Sequence, residues 1–121
     1  MNPHMIIALL HIFLIGPAMI GVAVFRSQNP DWVYQVLFAT GIIVLLYHGY
    51  KAVVKLMANH SGAWVNIIHV LLFAPLLIYI GAQHKNTPRA AYEMLAMAGF
   101  AALGYHLYSI ITMLHFNYDM D

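Results

Sequence analysis

The chain contains no cysteine, which excludes disulfide bonds and metal sites built from thiolates. Charged residues are also scarce, at 7% of the 121 residues, whereas about a quarter of the residues in a soluble domain are charged. The net charge of +1 gives no reason to expect a nucleic-acid partner. No pair of carboxylates and no Ser/His/Asp arrangement falls in a shared pocket, so we do not expect an enzyme.

Apolar residues, by contrast, make up 63% of the chain, and its mean hydropathy is +0.77. Four apolar segments are long enough to cross a bilayer, which predicts a multi-pass integral membrane protein surrounded by lipid. No basic region or cleavage site marks the first segment as a signal peptide, so we expect a true membrane helix there. The turns are too short for a soluble domain, which predicts a single all-α membrane domain, residues 1–121, with up-down-up-down topology. Homo-oligomerisation is left open.

A tandem repeat organises these segments. The motif Tyr-His-Gly-Tyr at 47–50 recurs 58 residues later as Tyr-His-Leu-Tyr at 105–108. Carried outward without a gap, the same offset aligns residues 11–57 with 69–115 and gives 13 identities over 47 positions. Matched histidines, prolines and tyrosines in one frame are not expected from apolar composition alone, so we predict a duplicated two-helix unit.

Each copy, about residues 3–57 and about residues 61–115, is predicted to be a helical hairpin. Because each copy holds two spans, an even number, both copies enter the membrane from the same side. The repeat therefore predicts a four-helix transmembrane bundle with a pseudo-twofold axis along the membrane normal.

Residues that match between the copies are expected to face the bundle, because lipid tolerates any apolar side chain. Gly41 and Gly99 are then expected to allow close packing of helices, and Pro17 and Pro75 to kink the first and third spans. The predicted inward-facing residues are Tyr34, Leu37, Gly41, Leu45 and His48 in the second span, Tyr92, Leu95, Gly99, Leu103 and His106 in the fourth, and His11, Leu14, Ala18 and Gly21 in the first.

Four histidines are expected deep in the spans. Counting 1.5 Å per residue from the helix ends places His11, His48, His69 and His106 roughly 9–13 Å from the same side, in one layer. Ionisable residues at membrane depth are costly, and they indicate a functional site by default. Four tyrosines lie within a turn of this layer and are predicted to surround the histidines: Tyr47, Tyr50, Tyr105 and Tyr108.

The histidine layer leaves three functions open. Neutral imidazole binds zinc, copper, iron and nickel, so the layer is predicted to hold a transition metal ion, or two histidines to be the axial ligands of a b-type haem. Alternatively, intramembrane histidine with tyrosine suits a proton or ion channel or transporter. In the third interpretation the protein is structural or binds a partner, and its histidines only hydrogen-bond across helices, for a net ~0.6 kcal/mol.

Three apolar motifs carry a resemblance to a known group of proteins. They are HVLLFAPLLIYIG at 69–81, NTP at 86–88 and GIIVLLYH at 41–48. In these motifs the chain resembles small uncharacterised multi-pass membrane proteins encoded by large DNA viruses of algae and protists. The resemblance implies a viral origin and a location in a host or virion membrane, and it implies no particular activity.

Overall fold

The computed structural model describes residues 2–116, and these residues form helices joined by short turns, with no β-strand among them. The predicted all-α class is confirmed. Four helices in this part of the chain are long and apolar enough to cross a membrane, as predicted. We name them span 1 (Pro3–Gln28), span 2 (Asp31–Met57), span 3 (Ala63–Asn86) and span 4 (Arg89–Phe116). Residues 1 and 117–121 of the predicted membrane domain lie outside the described residues.

Spans 2 and 4 are uninterrupted α-helices, whereas spans 1 and 3 are each built from four segments. Span 1 begins where the Asn2 side chain accepts a hydrogen bond from the His4 N–H at 2.7 Å, with Pro3 at the first helical position. Its segments are α-helical Pro3–Leu10, π-helical His11–Ile15, α-helical Gly16–Phe25 and 3-10-helical Arg26–Gln28. Those of span 3, in the same order, are Ala63–Ile68, His69–Phe73, Ala74–Gln83 and His84–Asn86.

A proline explains the π-helical turn in both spans. Proline has no N–H, and its ring clashes with the carbonyl four residues earlier in an α-helix. In span 1 the Gly16 N–H bonds to the His11 carbonyl five residues back, just before Pro17. In span 3 the residue before Pro75 bonds in the same way to the carbonyl of His69. The wider turn relieves the clash, and it begins at a histidine in each case.

The same π turn makes the predicted inward stripe of span 1 wrong at Leu14 and Ala18. Leu14 is 61% exposed and Ala18 is exposed, whereas Gly16 is buried. A π turn holds more residues than an α turn, so residues within and after it rotate away from the α-helical spacing that the stripe assumed. Spans 2 and 4 have no such turn, and six of their predicted inward residues are buried: Tyr34, Leu37, Gly41, Tyr92, Leu95 and Gly99.

The described residues pack into two compact units. One combines residues 2–24 with residues 93–116 and holds most of spans 1 and 4; the other is residues 25–92 and holds spans 2 and 3. We name them the 1/4 unit and the 2/3 unit. Each unit has its own close contact between two helices.

Glycines let spans 2 and 3 approach closely in the 2/3 unit. A Cβ atom built on Gly41 would lie 2.7 Å from Ile78 Cγ1, and one built on Gly81 would lie 2.6 Å from the backbone nitrogen of Phe38. From residue 38 to residue 41 in span 2 the partner moves back from 81 to 78 in span 3. The two spans of this unit therefore run antiparallel.

The 1/4 unit is packed by the same device. A Cβ atom on Gly99 would lie 2.7 Å from Ile20 Cγ1, and one on Gly16 would lie 2.7 Å from Leu103 Cδ2. As the residue number rises from 99 to 103 in span 4, the partner falls from 20 to 16 in span 1. Spans 1 and 4 therefore also run antiparallel.

A hydrogen-bonded cluster closes one end of the 2/3 unit. Tyr34 and Tyr92, both buried, share a hydrogen bond with 2.7 Å between their hydroxyl oxygens, and Tyr34 donates to the Arg26 carbonyl at 2.9 Å. Because the Tyr34 proton serves Arg26, Tyr92 is the donor in the bond between the tyrosines. The Lys85 ammonium donates to the Ser27 carbonyl at 2.9 Å, which ties the 3-10 turn at the end of span 3 to the 3-10 turn at the end of span 1.

Removing the Tyr34 hydroxyl is expected to destabilise the protein more than removing the Tyr92 hydroxyl. Tyr34→Phe deletes two hydrogen bonds and leaves the Tyr92 hydroxyl without its acceptor. Because Tyr92 is only 2% exposed, this change is expected to cost about 1–3 kcal/mol of unfolding free energy. Tyr92→Phe deletes one bond and keeps the bond from Tyr34 to Arg26, at a cost of about 1 kcal/mol. Thermal unfolding of both variants in detergent tests the order, and equal midpoints would contradict it.

Candidate functional site

The four deep histidines meet as two stacked pairs, one in each unit. In the 1/4 unit the rings of His11 and His106 stack with centroids 4.1 Å apart and planes inclined by 28°. In the 2/3 unit the rings of His48 and His69 stack at 4.0 Å and 15°. Each pair joins the histidine that begins a π turn to the histidine of a Tyr-His motif.

The tautomers of His11 and His69 follow from their hydrogen bonds. His11 Nδ1 lies 2.8 Å from the carbonyl oxygen of Ile7, and His69 Nδ1 lies 2.6 Å from that of Val65. A carbonyl oxygen can only accept, so Nδ1 carries the proton in both rings. In the neutral form of each ring Nε2 is then the nitrogen with the lone pair.

His48 has the opposite tautomer, because Asn66 holds it. The amide nitrogen of Asn66 lies 2.8 Å from His48 Nδ1, and since an amide nitrogen only donates, the ring proton of neutral His48 is on Nε2. Asn66 is 1% exposed, and its Oδ1 has no hydrogen-bond partner among the described residues. The sequence pattern alone did not indicate a role for Asn66. The available signal was its position one turn before His69, in a span otherwise almost entirely apolar.

The predicted tyrosine surroundings divide into two kinds. Tyr47 meets the His48 ring edge-on at 5.0 Å between centroids, and Tyr105 meets the His106 ring edge-on at 5.3 Å. Tyr50 is 68% exposed and Tyr108 is 56% exposed. Each stands two positions after its histidine, and two residues turn an α-helix by about 200°, so these side chains leave on another face.

The stacked rings do not form a ready metal site within either unit. Among residues 2–116 no group of three or more histidine, aspartate and glutamate side chains is close enough to hold a metal ion. The nitrogen lone pairs of an imidazole lie in the ring plane, so two rings stacked face to face direct them side by side. Ligation of one ion needs lone pairs that converge at about 2.0–2.1 Å, and axial ligation of a haem needs the iron between the two nitrogens. The predicted metal or haem site stays a prediction, and it requires the rings to turn out of the stack.

A small cavity adjoins the histidine pair of the 1/4 unit. Its volume is about 20 Å³, and it touches two buried polar residues, His106 and Ser109. The other residues that line it are His4, Ile7, Ala8, Tyr105 and Met113. The cavity thus runs along the part of span 1 between its first turn and the depth of His11.

Comparison with known proteins identifies no similar protein. No family model matches the chain, and no curated protein or solved structure is significantly similar to it. The class of the protein is all-helical, with four helices in the described residues that are long and apolar enough to cross a membrane. The fold alone does not indicate a function, so the two histidine pairs are the basis for one.

Proposed function

We propose that the chain is a multi-pass membrane protein whose four spans form an up-down-up-down bundle, built from two copies of a helical hairpin. The support is that local features recur at the 58-residue offset of the sequence repeat. The π turns begin at His11 and His69, and the two 3-10 turns begin at Arg26 and His84, both with positive φ. The contact of Gly41 with Ile78 has its counterpart in the contact of Gly99 with Ile20.

Within this bundle we propose that the histidine pairs take up and transfer protons, so that the protein is a histidine-based proton transporter. The observation that carries the proposal is the stacking of two imidazoles at 4.0–4.1 Å in each unit. Histidine is the side chain whose charge ordinarily changes between about pH 5 and pH 8. A stacked pair of such rings, without a carboxylate in the stack, is suited to hold a proton reversibly.

The geometry of each stacked pair favours the binding of a single proton. The first proton makes one ring an imidazolium lying over the face of a neutral aromatic ring, and a cation in that position is attracted by the π electrons. A second proton places two positive charges about 4 Å apart, where they repel by about 4 kcal/mol at an effective dielectric constant of about 20. The two pairs together are therefore expected to hold two protons.

A transporter is favoured over an open channel. In the 2/3 unit the buried side of span 2 between His48 and Tyr34 carries Gly41 and Leu37, which offer no group that relays a proton. A proton bound at His48 thus has no polar route along this contact to the tyrosine cluster at the other end. Release on that side requires movement of the helices, as in alternating access.

Proton flux into liposomes tests this function. Purified wild-type protein is expected to acidify the interior of liposomes under a pH gradient. The double variant His11→Ala, His106→Ala is expected to reduce this flux to half or less, because one of the two pairs is removed. His115→Ala, an exposed histidine outside the pairs, is the matched control and keeps the flux. Wild-type flux equal to that of empty liposomes would refute the proposal.

Ligand binding by the same histidines is the second candidate, because one observation favours it. Histidines that bind metals commonly donate their second ring N–H to a backbone carbonyl or carboxylate, which fixes the tautomer. His11 and His69 both make this bond through Nδ1, so each has Nε2 as its donor atom for a transition metal ion or a b-type haem. Binding would replace the stacked arrangement.

Spectra and elemental analysis separate this candidate from the first. After expression with added haem and metal salts, a ligand-binding protein retains colour or metal, and His69→Ala lowers the retained amount at least tenfold. Wild-type protein that is colourless and metal-free would rule out the ligand. Protein without ligand and without flux would leave the structural or partner-binding interpretation.

A further inference from the structure

The two histidine pairs differ in what lies beside them. In the 1/4 unit the small residue Ala8 borders the cavity next to His106. At the 58-residue offset Ala8 corresponds to Asn66, whose amide fills the equivalent place beside His48 and bonds to its ring. Similarly, Met113 of the cavity corresponds to Lys55, which is 6% exposed. The cavity therefore borders an alanine and a methionine at positions where the 2/3 unit has an asparagine and a lysine.

The cavity suits a water molecule in both size and lining. A cavity of about 10–15 Å³ is large enough for one water molecule, and this cavity has about 20 Å³. Buried water typically makes two to four hydrogen bonds. Four of the lining residues have polar side chains that can bond to water: His4, Tyr105, His106 and Ser109. His4 is partly exposed in the first turn of span 1, and His106 is 9% exposed.

We infer that this cavity is a water site through which His106 exchanges protons with the aqueous phase at the start of span 1, and that Asn66 holds His48 out of the corresponding exchange. The inference rests on the proposed proton function and assigns its site of uptake. A hydronium ion at the cavity transfers one proton to a ring nitrogen of His106. An O–H bond breaks, an N–H bond forms, a neutral water remains, and the positive charge passes to the imidazolium.

The groups that face the transferred proton are compatible with this role. From span 1, His11 stacks on the His106 ring and His4 lines the cavity; from span 4, Tyr105 meets the same ring edge-on. None of these is a carboxylate that would trap the proton as an ion pair. In the 2/3 unit, the donor from Asn66 occupies His48 Nδ1, so uptake by His48 first requires that bond to break.

Substitutions at the corresponding positions 8 and 66 test the inference, because each gives one unit the residue type of the other. Ala8→Asn places an amide in the cavity and is expected to lower the proton flux to half or less, whereas Asn66→Ala opens the corresponding place beside His48 and is expected to raise it. Ala18→Asn, the same change at an exposed position of span 1, is the control and keeps the wild-type rate. Ser109→Val fills the cavity from span 4 and serves if Ala8→Asn does not fold.

Contact of each ring with water, measured by water-edited NMR on protein with ¹⁵N-labelled histidine, gives a readout independent of flux. His106 is expected to show contact with water, His48 to show little, and Ala8→Asn to remove the His106 signal. If wild type conducts but both cavity variants keep its flux and His106 shows no water contact, the inference is overturned. If wild type does not conduct yet His106 alone is in contact with water, the water site stands and the transport proposal fails.

Discussion

Replacing Gly41 or Gly99 with alanine is expected to loosen a helix pair and lower the thermal unfolding midpoint. The new methyl group at position 41 would lie 2.7 Å from Ile78 Cγ1 and 2.9 Å from the Ile78 backbone nitrogen. At position 99 it would lie 2.7 Å from Ile20 Cγ1 and 3.0 Å from the Gly16 carbonyl oxygen. Backbone atoms of a packed helix cannot move aside singly, so overpacking is expected to cost about 1–3 kcal/mol.

Two other glycines in the same helices are matched controls. A Cβ atom on Gly49 of span 2 or on Gly104 of span 4 meets nothing within 4 Å. In a helix interior alanine is more favourable than glycine by about 1 kcal/mol. Gly49→Ala and Gly104→Ala are therefore expected to be neutral or slightly stabilising. Thermal unfolding of all four variants in one detergent compares them. The packing account is contradicted if Gly41→Ala melts at the same temperature as Gly49→Ala.

The second large effect is expected from His48→Ala, which should destabilise the protein more than His106→Ala. Both variants lose a stacked ring contact, which contributes about 0.5–1.5 kcal/mol. His48→Ala also leaves the amide nitrogen of Asn66, in a residue only 1% exposed, without the ring nitrogen to which it donates. An abandoned buried polar group costs about 1–3 kcal/mol. The position corresponding to Asn66 beside His106 is Ala8, which has no side-chain polar group to abandon.

A double-mutant cycle isolates the contribution of the amide. In the His48→Ala background, Asn66→Ala removes the abandoned group and is expected to recover about 1 kcal/mol or more, whereas in wild type the same change is destabilising. Unfolding free energies of the four proteins measure the coupling. Additive effects of the two changes would mean that the bond between Asn66 and His48 contributes nothing to stability.

Much of the fold could be predicted because hydropathy and the repeat report directly on helices. Apolar length indicated four membrane-spanning helices, and the 58-residue offset drew attention to Gly41 and Gly99, which both lie at close helix contacts. The error at Leu14 has a local cause. An α-helical spacing was applied across a turn that Pro17 widens into a π-helix, and the rotation this introduces is not visible in the pattern of apolar residues.

The arrangement of the four histidines could be predicted only in part. Depth counting brought the four histidines to similar levels, but which rings touch depends on which spans pack together. The repeat related His48 to His106, whereas in the structure His48 stacks on His69 and His106 on His11. The role of Asn66 depends on the rotation of span 3 about its axis, which the sequence does not specify. The corresponding residue in the first copy is Ala8, so the repeat did not mark this position as shared.

A pH titration of ¹⁵N-labelled histidine side chains in lipid bilayers, monitored by solid-state NMR, shows directly whether each stacked pair takes up one proton. At about pH 8 the account predicts neutral rings, with the proton on Nδ1 in His11 and His69 and on Nε2 in His48. As the pH falls to about 5, each stacked pair is expected to gain one imidazolium while its other ring stays neutral, because two charges at 4.0–4.1 Å repel. Two results would contradict one proton per stacked pair. In the first, all four rings become imidazolium independently; in the second, no ring changes charge although the protein conducts protons.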